Sequence, residues 1–350
     1  MLVTDFSADV NIKNKRGGTP LHSASQSCRG EVMRMLVTEF GAEVNIKDNR
    51  GRTPLFYAAD GNDEIAKILM TEFGAEVNIE DKCGSTPLHL AIQWCRDDTV
   101  RVIASEFEAG VNIKDRSGIT PLHLAAEWGR DDIVRMLVTD LSAEVDIKDK
   151  HGNTPLRVAA KYGNNEIVKM LVSEFGAEVN IKDDRGRTPL HWAAQGDESG
   201  IVKMLVTELG AEVNIRDADG RSPLHIAVQC CRDDAVRMLV VECGAEVNIK
   251  DKLGKTPLHL AAGGGLREYR DDIVRMLVTD LSAELDIKDN EGRTPLHVAV
   301  EWGRNDIVKL LTEFGAGVHI KDCEGKSPLH LAAQRHRSDI MKLLVNSVQK

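Results

Sequence analysis

The sequence predicts an all-α solenoid of stacked helix-turn-helix units, and three observations carry that expectation. All ten prolines stand between Thr or Ser and Leu, at positions 20, 54, 87, 121, 155, 189, 223, 257, 295 and 328. The nine gaps between them are 34, 33, 34, 34, 34, 34, 34, 38 and 33 residues, a period that marks units too small to fold alone, each covering its neighbour's apolar face. Apolar residues make up 42% of the chain and charged residues 29%, enough to bury a core and too few charges for disorder. With aromatics at 4%, that core falls to Leu, Val, Ile, Met and Ala.

The fourth unit, Asp115 to Asp149, shows how each element is specified. Gly118 suits a turn needing positive φ. Thr120 reads as an N-cap and Pro121 as the first helical residue, where a missing N–H costs nothing. His123 falls at the third helical position, from which its imidazole can reach back to Thr120. Leu122 supplies core burial, and Ala125 and Ala126 let neighbouring helices approach. Gly129 ends this inner helix in a left-handed residue. Asp131 and Asp132 then favour the positive end of an outer helix, whose Ile133, Met136, Leu137 and Leu141 recur at helical spacing.

The Thr/Ser-Pro-Leu-His start recurs in eight of ten units, ending at His22, His89, His123, His191, His225, His259, His297 and His330. An Ala pair, a Gly, a Val-rich second helix and Gly-Ala-Glu-Val-Asn follow it. This pattern resembles the ankyrin repeat over essentially the whole chain. The resemblance implies L-shaped repeats with β-hairpin fingers at the turns, stacked into a curved solenoid with a concave binding face. Residues 1–17 are expected to be a partial N-terminal repeat, and 18–350 ten repeats forming one continuous solenoid.

Departures from the pattern are expected to matter. Most units are one residue longer than the family's usual 33, because the second helix ends as in Leu36-Val37-Thr38-Glu39-Phe40-Gly41; the outer helices should be extended or end in a looser turn. Phe56 and Arg157 replace the helix-starting His, so units two and five should differ locally. Ser7, Ser142, Ser282 and Glu108 replace the Gly after helix two, where a left-handed residue is strained. Unit eight carries four extra residues within Gly263 to Arg270, expected to be mobile, and the start at Met1-Leu2-Val3 inside a second helix is expected to fray. Arg130 to Lys150 matches Arg270 to Asn290 at all but two positions, which we read as duplication of a four-unit block.

The residues offer little to chemistry. Seven cysteines, at 28, 83, 95, 230, 231, 243 and 323, form no CxxC pair or zinc spacing and suit a reducing compartment. Eight histidines sit in the helix start, and His151, His319 and His336 have no partners at ligand spacing. Gly263-Gly264-Gly265 lacks the Lys and Ser/Thr of a phosphate loop. The Asp pairs at 97–98, 131–132, 233–234 and 271–272 read as helix N-terminal charge. No nucleophile, base and orienting group converge, so neither an enzyme, a small-molecule substrate, a cofactor nor a metal is expected. No apolar run approaches the roughly 18 residues of a spanning helix, and Met1 to Val10 has no basic residue for a signal peptide. The expected location is cytoplasmic.

What remains is a binding surface. Basic residues cluster at the turns, among them Lys15, Arg16, Arg50, Arg52, Lys82, Arg116, Lys150, Arg185 and Arg187, while acids gather at both ends of helix two. The fingers are expected to be positive and the outer surface negative, with Asp48, Asp115, Asp149 and Asp183 diluting the finger charge. Trp94, Trp128, Tyr162 and Trp302 each lie eight residues after a capping Thr, where the resemblance implies a groove-facing position that varies with the partner. Packing against a neighbouring inner helix is the competing reading of these rings. Trp192 follows the helix start directly and is expected in the core. The function expected is a non-catalytic protein-binding scaffold, with Trp94, Trp128, Tyr162 and Trp302 as anchors and Lys82, Arg116 and Lys150 favouring an acidic segment. The alternatives are a targeting module of a larger enzyme or ubiquitin ligase, or a binder of anionic lipid or nucleic acid through the basic turns. A net charge of −10 argues against a general grip on phosphate backbones.

Overall fold

The computed structural model describes residues 8–106, 109–263 and 270–347. Ser7, Glu108, the chain start and most of the Gly263–Arg270 insertion, on which expectations were placed, lie outside the described residues. Each Thr/Ser-Pro-Leu opens a short inner helix, followed by an outer helix. In repeat four Thr120 is extended (φ −107°, ψ 165°), the inner helix is Pro121–Glu127 and Trp128 is its C-cap. Gly129 follows in the left-handed region at φ 65°, and the outer helix is Asp131–Thr139. Leu122, Ala125, Ala126, Ile133, Met136 and Leu137 are buried, as the periodicity predicts. Leu141 is only half-buried, because it falls beyond the last helical turn.

The described residues form two compact units, Met1–Ala159 with Glu166–Ala177, and Ala160–Asn165 with Glu178–Lys350. Within each, four kinds of polar contact recur between one repeat and the next. His123 shows the first. Its Nδ1 accepts from the Thr120 N–H at 3.3 Å and lies 2.8 Å from the Thr120 hydroxyl, while Nε2 reaches the Asn153 carbonyl one repeat on at 3.0 Å. Only the Nε2–H tautomer satisfies both ends. His22, His89, His191, His225, His259 and His297 make the same bridge. The Asn of Gly-Ala-Glu-Val-Asn supplies the second contact, as when Asn112 Oδ1 accepts from the Glu144 N–H at 2.9 Å. The Lys before the finger Asp supplies the third, Lys114 Nζ donating to the Lys148 carbonyl at 2.7 Å. Fourth, finger meets finger through one backbone bond, such as Lys150 N–H to the Ser117 carbonyl at 3.0 Å.

That single bond per finger explains a correction to the expected β-hairpins: among the described residues there is no strand. The fingers are tight turns closed from within by the Asp carboxylate. Asp115 Oδ1 accepts from the Ser117 and Ile119 N–H groups at 2.8 and 2.9 Å.

The extra residue of the longer repeats is absorbed at the end of the outer helix. Among the described residues five outer helices finish in a π-helical turn, at Met35–Glu39, Val102–Glu106, Met170–Glu174, Met238–Glu242 and Met276–Asp280. The closing bond spans six residues, as in Ala42 N–H to the Leu36 carbonyl and Ala143 N–H to the Leu137 carbonyl. Repeat nine, which lacks the extra Val, closes over five, from Ala316 to Leu311. One inserted residue thus widens one turn, as π-bulges do. Ser142 and Ser282 are left-handed (φ 57° and 56°), as expected. Cys28, Cys95 and Cys231 also hold positive φ, at the inner-helix end where Gly129 stands in repeat four.

Repeat two differs because Phe56 replaces the bridging His. Phe56 is 1% exposed, fills the space the imidazole would occupy, and leaves the buried Thr53 hydroxyl without a hydrogen-bond partner. An unsatisfied buried hydroxyl costs about 1–3 kcal/mol. Thr53→Val should therefore be neutral or stabilising in urea denaturation, whereas Thr120→Val, which removes a satisfied cap, should cost about 1–2 kcal/mol. Equal losses at the two positions would contradict this account. Arg157, the other replacement, keeps its backbone N–H on the Thr154 hydroxyl at 3.3 Å.

Candidate partner-binding surface

The four aromatic residues expected at the surface are exposed, Trp94 by 53%, Trp128 by 49%, Tyr162 by 47% and Trp302 by 59%. Their exposure follows from the backbone. Each sits at or just past the end of its inner helix, and the next residue, Cys95, Gly129, Gly163 or Gly303, is left-handed. The chain turns away there, so the preceding ring is left outside the packing between helices. Trp94 and Trp128 belong to the first unit, and Tyr162 and Trp302 to the second.

Trp94 forms one wall of a groove of about 720 Å³ in the first unit. It is lined also by Phe56, Tyr57 and Asp60 of repeat two, by Ser23 and Gln26 of repeat one, and by Lys15, Arg16, Asn49, Arg50 and Arg52 of two fingers. Trp128, Lys82, Arg116 and Lys150 are exposed but do not line this groove.

Sequence reasoning missed Tyr57. Its hydroxyl donates to Asp48 Oδ2 at 2.7 Å, and its ring meets His22 edge-on at 5.7 Å. Burial alone would raise the Asp48 carboxyl, but the Tyr57 hydroxyl and the Arg52 and Arg50 N–H groups outweigh it and hold the carboxyl below its ordinary range. Burial, followed by the bond to Asp48, raises the Tyr57 hydroxyl, so it stays a donor. The available signal was position, since Tyr57 stands four residues after its cap, as Trp192 does.

Trp192 corrects the expectation that it lies in the core. It is half-buried, its Nε1–H donating to Asp183 Oδ2 at 3.0 Å, with the Arg187 guanidinium 5.3 Å and the Lys161 ammonium 6.0 Å from its ring. The position itself is only partly covered, Leu124 and Leu260 being half-buried there too, and an indole N–H needs an acceptor. Lys161 also lies 4.6 Å from the Tyr162 ring.

The expected charge division changes as well. On the outer face, Arg34 pairs with Glu72 at 2.8 Å and Arg135 with Glu174 at 2.6 Å, and in the second unit Lys203 pairs with Glu242 at 3.4 Å. Acids there are matched by cations of the preceding repeat, so the face is not simply negative. The Arg at the base of a finger is also engaged, Arg52 with Asp81 at 3.4 Å and Arg187 with Asp217 at 3.5 Å. The two tip residues after the finger Asp or Asn are different. In the first unit they read Lys15-Arg16, Asn49-Arg50, Lys82-Cys83, Arg116-Ser117 and Lys150-His151, six cations and no acid. In the second they read Asp184-Arg185, Ala218-Asp219, Lys252-Leu253, Asn290-Glu291 and Cys323-Glu324, four acids and two cations. The fingers are positive in one unit only.

The Asp pairs sit where helix N-terminal charge places them, at the starts of outer helices. Burial, then the neighbouring Glu166 and Asp132, raises the Asp131 carboxyl. Among the described residues no three His, Cys, Asp or Glu side chains are grouped so as to hold a metal ion, and no helix is long and apolar enough to cross a membrane.

An all-α array of capped helix pairs fastened repeat to repeat defines a tandem-repeat protein. The family model for ankyrin repeats in three copies matches at residues 1–81, 73–149, 107–183, 137–217, 156–251, 198–289, 225–322 and 266–350, covering the whole chain. The chain belongs to the ankyrin repeat family, whose repeats are in general protein–protein interaction modules. No protein of curated function matches it.

Proposed function

We propose that the chain is a non-catalytic scaffold that holds a protein partner on its inner-helix and finger side. Trp94 and Trp128 anchor the partner in the first unit, and Lys82, Arg116 and Lys150 favour acidic residues beside the anchors. Tyr162 and Trp302 hold the same repeat position in the second unit and serve as contacts there. One observation carries the reading: in a chain with only 4% aromatic residues, four large rings stand about half exposed at one repeat position. Trp and Tyr are enriched among interface anchors because a rigid ring buries much area at small entropic cost.

The test is the Trp94→Ala, Trp128→Ala double variant, assayed for stability and for binding peptides selected from a displayed random library on the unaltered protein. The fold should be almost indifferent, within about 1 kcal/mol for two exposed positions. Affinity should fall by on the order of 2 kcal/mol or more. Unchanged affinity, or a large loss of stability, would sink the reading.

A further inference from the structure

We propose that the finger tips of the first unit form a linear track for an extended acidic protein segment, with a negative side chain at about every third residue. This rests on the protein-binding reading above and adds the partner's chemistry and spacing. Six cations, Lys15, Arg16, Arg50, Lys82, Arg116 and Lys150, occupy five successive tips with no acid among them. All six are exposed, and none forms an ion pair with a described residue.

Three features make these tips a track rather than scattered surface charge. Backbone bonds link them in series, from Asn49 N–H to the Arg16 carbonyl, Lys82 to Arg50, Arg116 to Cys83 and Lys150 to Ser117, at 2.8–3.0 Å. The finger carboxylates that could neutralise them accept from turn N–H groups, Asp48 and Asp81 being 7% and 8% exposed and Asp115 and Asp149 half-buried. The other basic residues of the fingers are engaged elsewhere: Lys13, Lys47 and Lys114 donate to carbonyls of the next repeat, and Arg52 pairs with Asp81. Among the described residues the tip cations carry no such bond to a neighbouring repeat's side chain or carbonyl through their charged groups, and stand outermost on the fingers to meet a partner.

Spacing selects the occupant. Packed helices lie about 8–10 Å apart, which sets the tip-to-tip interval. A polyproline-II segment rises about 3.1 Å per residue with three residues per turn, so side chains three apart fall on one face about 9.3 Å apart. Five tips then span about 13 residues of such a segment. A nucleic acid is the poorer fit, because the chain's net charge of −10 repels a long polyanion. A short acidic segment mainly meets charges within a Debye length of about 8 Å.

Binding of labelled peptides to the full chain tests this. The probe is a Pro- and Ala-based peptide of about 13 residues with Glu at every third position, beside its Gln twin and single-stranded oligothymidylate of equal charge. The Glu peptide should bind, weaken as salt rises, and lose about tenfold or more in affinity to Arg50→Glu, Lys82→Glu, Arg116→Glu, while Lys252→Glu in the second unit leaves it unchanged. Equal binding of the Gln twin, indifference to the triple charge reversal, or equal or tighter binding of oligothymidylate would overturn the proposal. Should the charge reversal be silent while the Trp94, Trp128 variant loses its selected peptides, the track falls and the scaffold reading stands.

Discussion

Acidification from neutral pH to about 4.5 should destabilise the protein substantially, with the loss beginning near pH 6.5. Burial, only partly opposed by the bond to the Arg221 carbonyl, lowers the His191 imidazole from 6.5 to about 4. Burial lowers His22, His89, His123, His225, His259 and His297 in the same direction. The unfolded chain takes up these protons below 6.5 while the folded chain does not. The stability is therefore fully present above 6.5 and drains away as pH falls toward the folded values. For His191 alone the shift corresponds to about 3 kcal/mol. Asp131, Asp233 and Asp271, raised first by burial, act in the opposite sense, but only in the carboxylate range. Urea midpoints measured at intervals from pH 7.5 to about 4.5 should fall steeply, and His191→Leu should flatten the slope. A midpoint constant down to about pH 5 would contradict the assignment of these imidazoles as neutral bridges.

Gly118→Val should be among the most damaging single changes at a finger. Gly118 has φ +82°, and a Cβ there would stand 2.6 Å from the Lys150 nitrogen and 2.9 Å from the Asp149 Cα. A left-handed β-branched residue costs about 1–2 kcal/mol, and the backbone contact adds about 1–3 more as finger is forced from finger. Gly176→Val supplies the comparison, because Gly176 has φ +71° and nothing within 4 Å of its Cβ position. Urea denaturation should show a loss of about 3 kcal/mol or more at Gly118 and no more than about half of that at Gly176. Similar losses would mean that the fingers are not in close contact.

The architecture was legible because one residue type, proline, marks every inner-helix start, and because Thr120, His123 and Gly129 each have a local task set by backbone chemistry. The inter-repeat contacts were less so. His123, Asn112 and Lys114 were visible as repeating positions, but their partners are backbone groups one repeat away, and a main-chain carbonyl or N–H leaves no mark on sequence. The extra residue of helix two was visible, and its outcome, a widened turn, was among the forms expected. Trp192 misled because its position is Leu, Val or Ile in most other repeats, and residue type alone does not say that the position is only partly covered. The finger charge misled because Asp48 and Asp81 count in a net sum although they face into the turn. Exposure of Trp94 and Trp128 depends on the left-handed residue that follows each, which Gly129 announced and Cys95 did not.

Hydrogen exchange on the full chain, alone and saturated with a peptide selected from the displayed library, tests most directly the claim that the inner-helix and finger side of the first unit holds the partner. Protection should rise at the fingers around Asn14–Gly18 and Asp48–Arg52 and at the inner-helix ends around Leu90–Trp94 and Leu124–Trp128, leaving the outer helix Asp131–Thr139 unchanged. Protection confined to Asp131–Thr139 and the other outer helices, with the fingers and Trp94 unaffected, would contradict it.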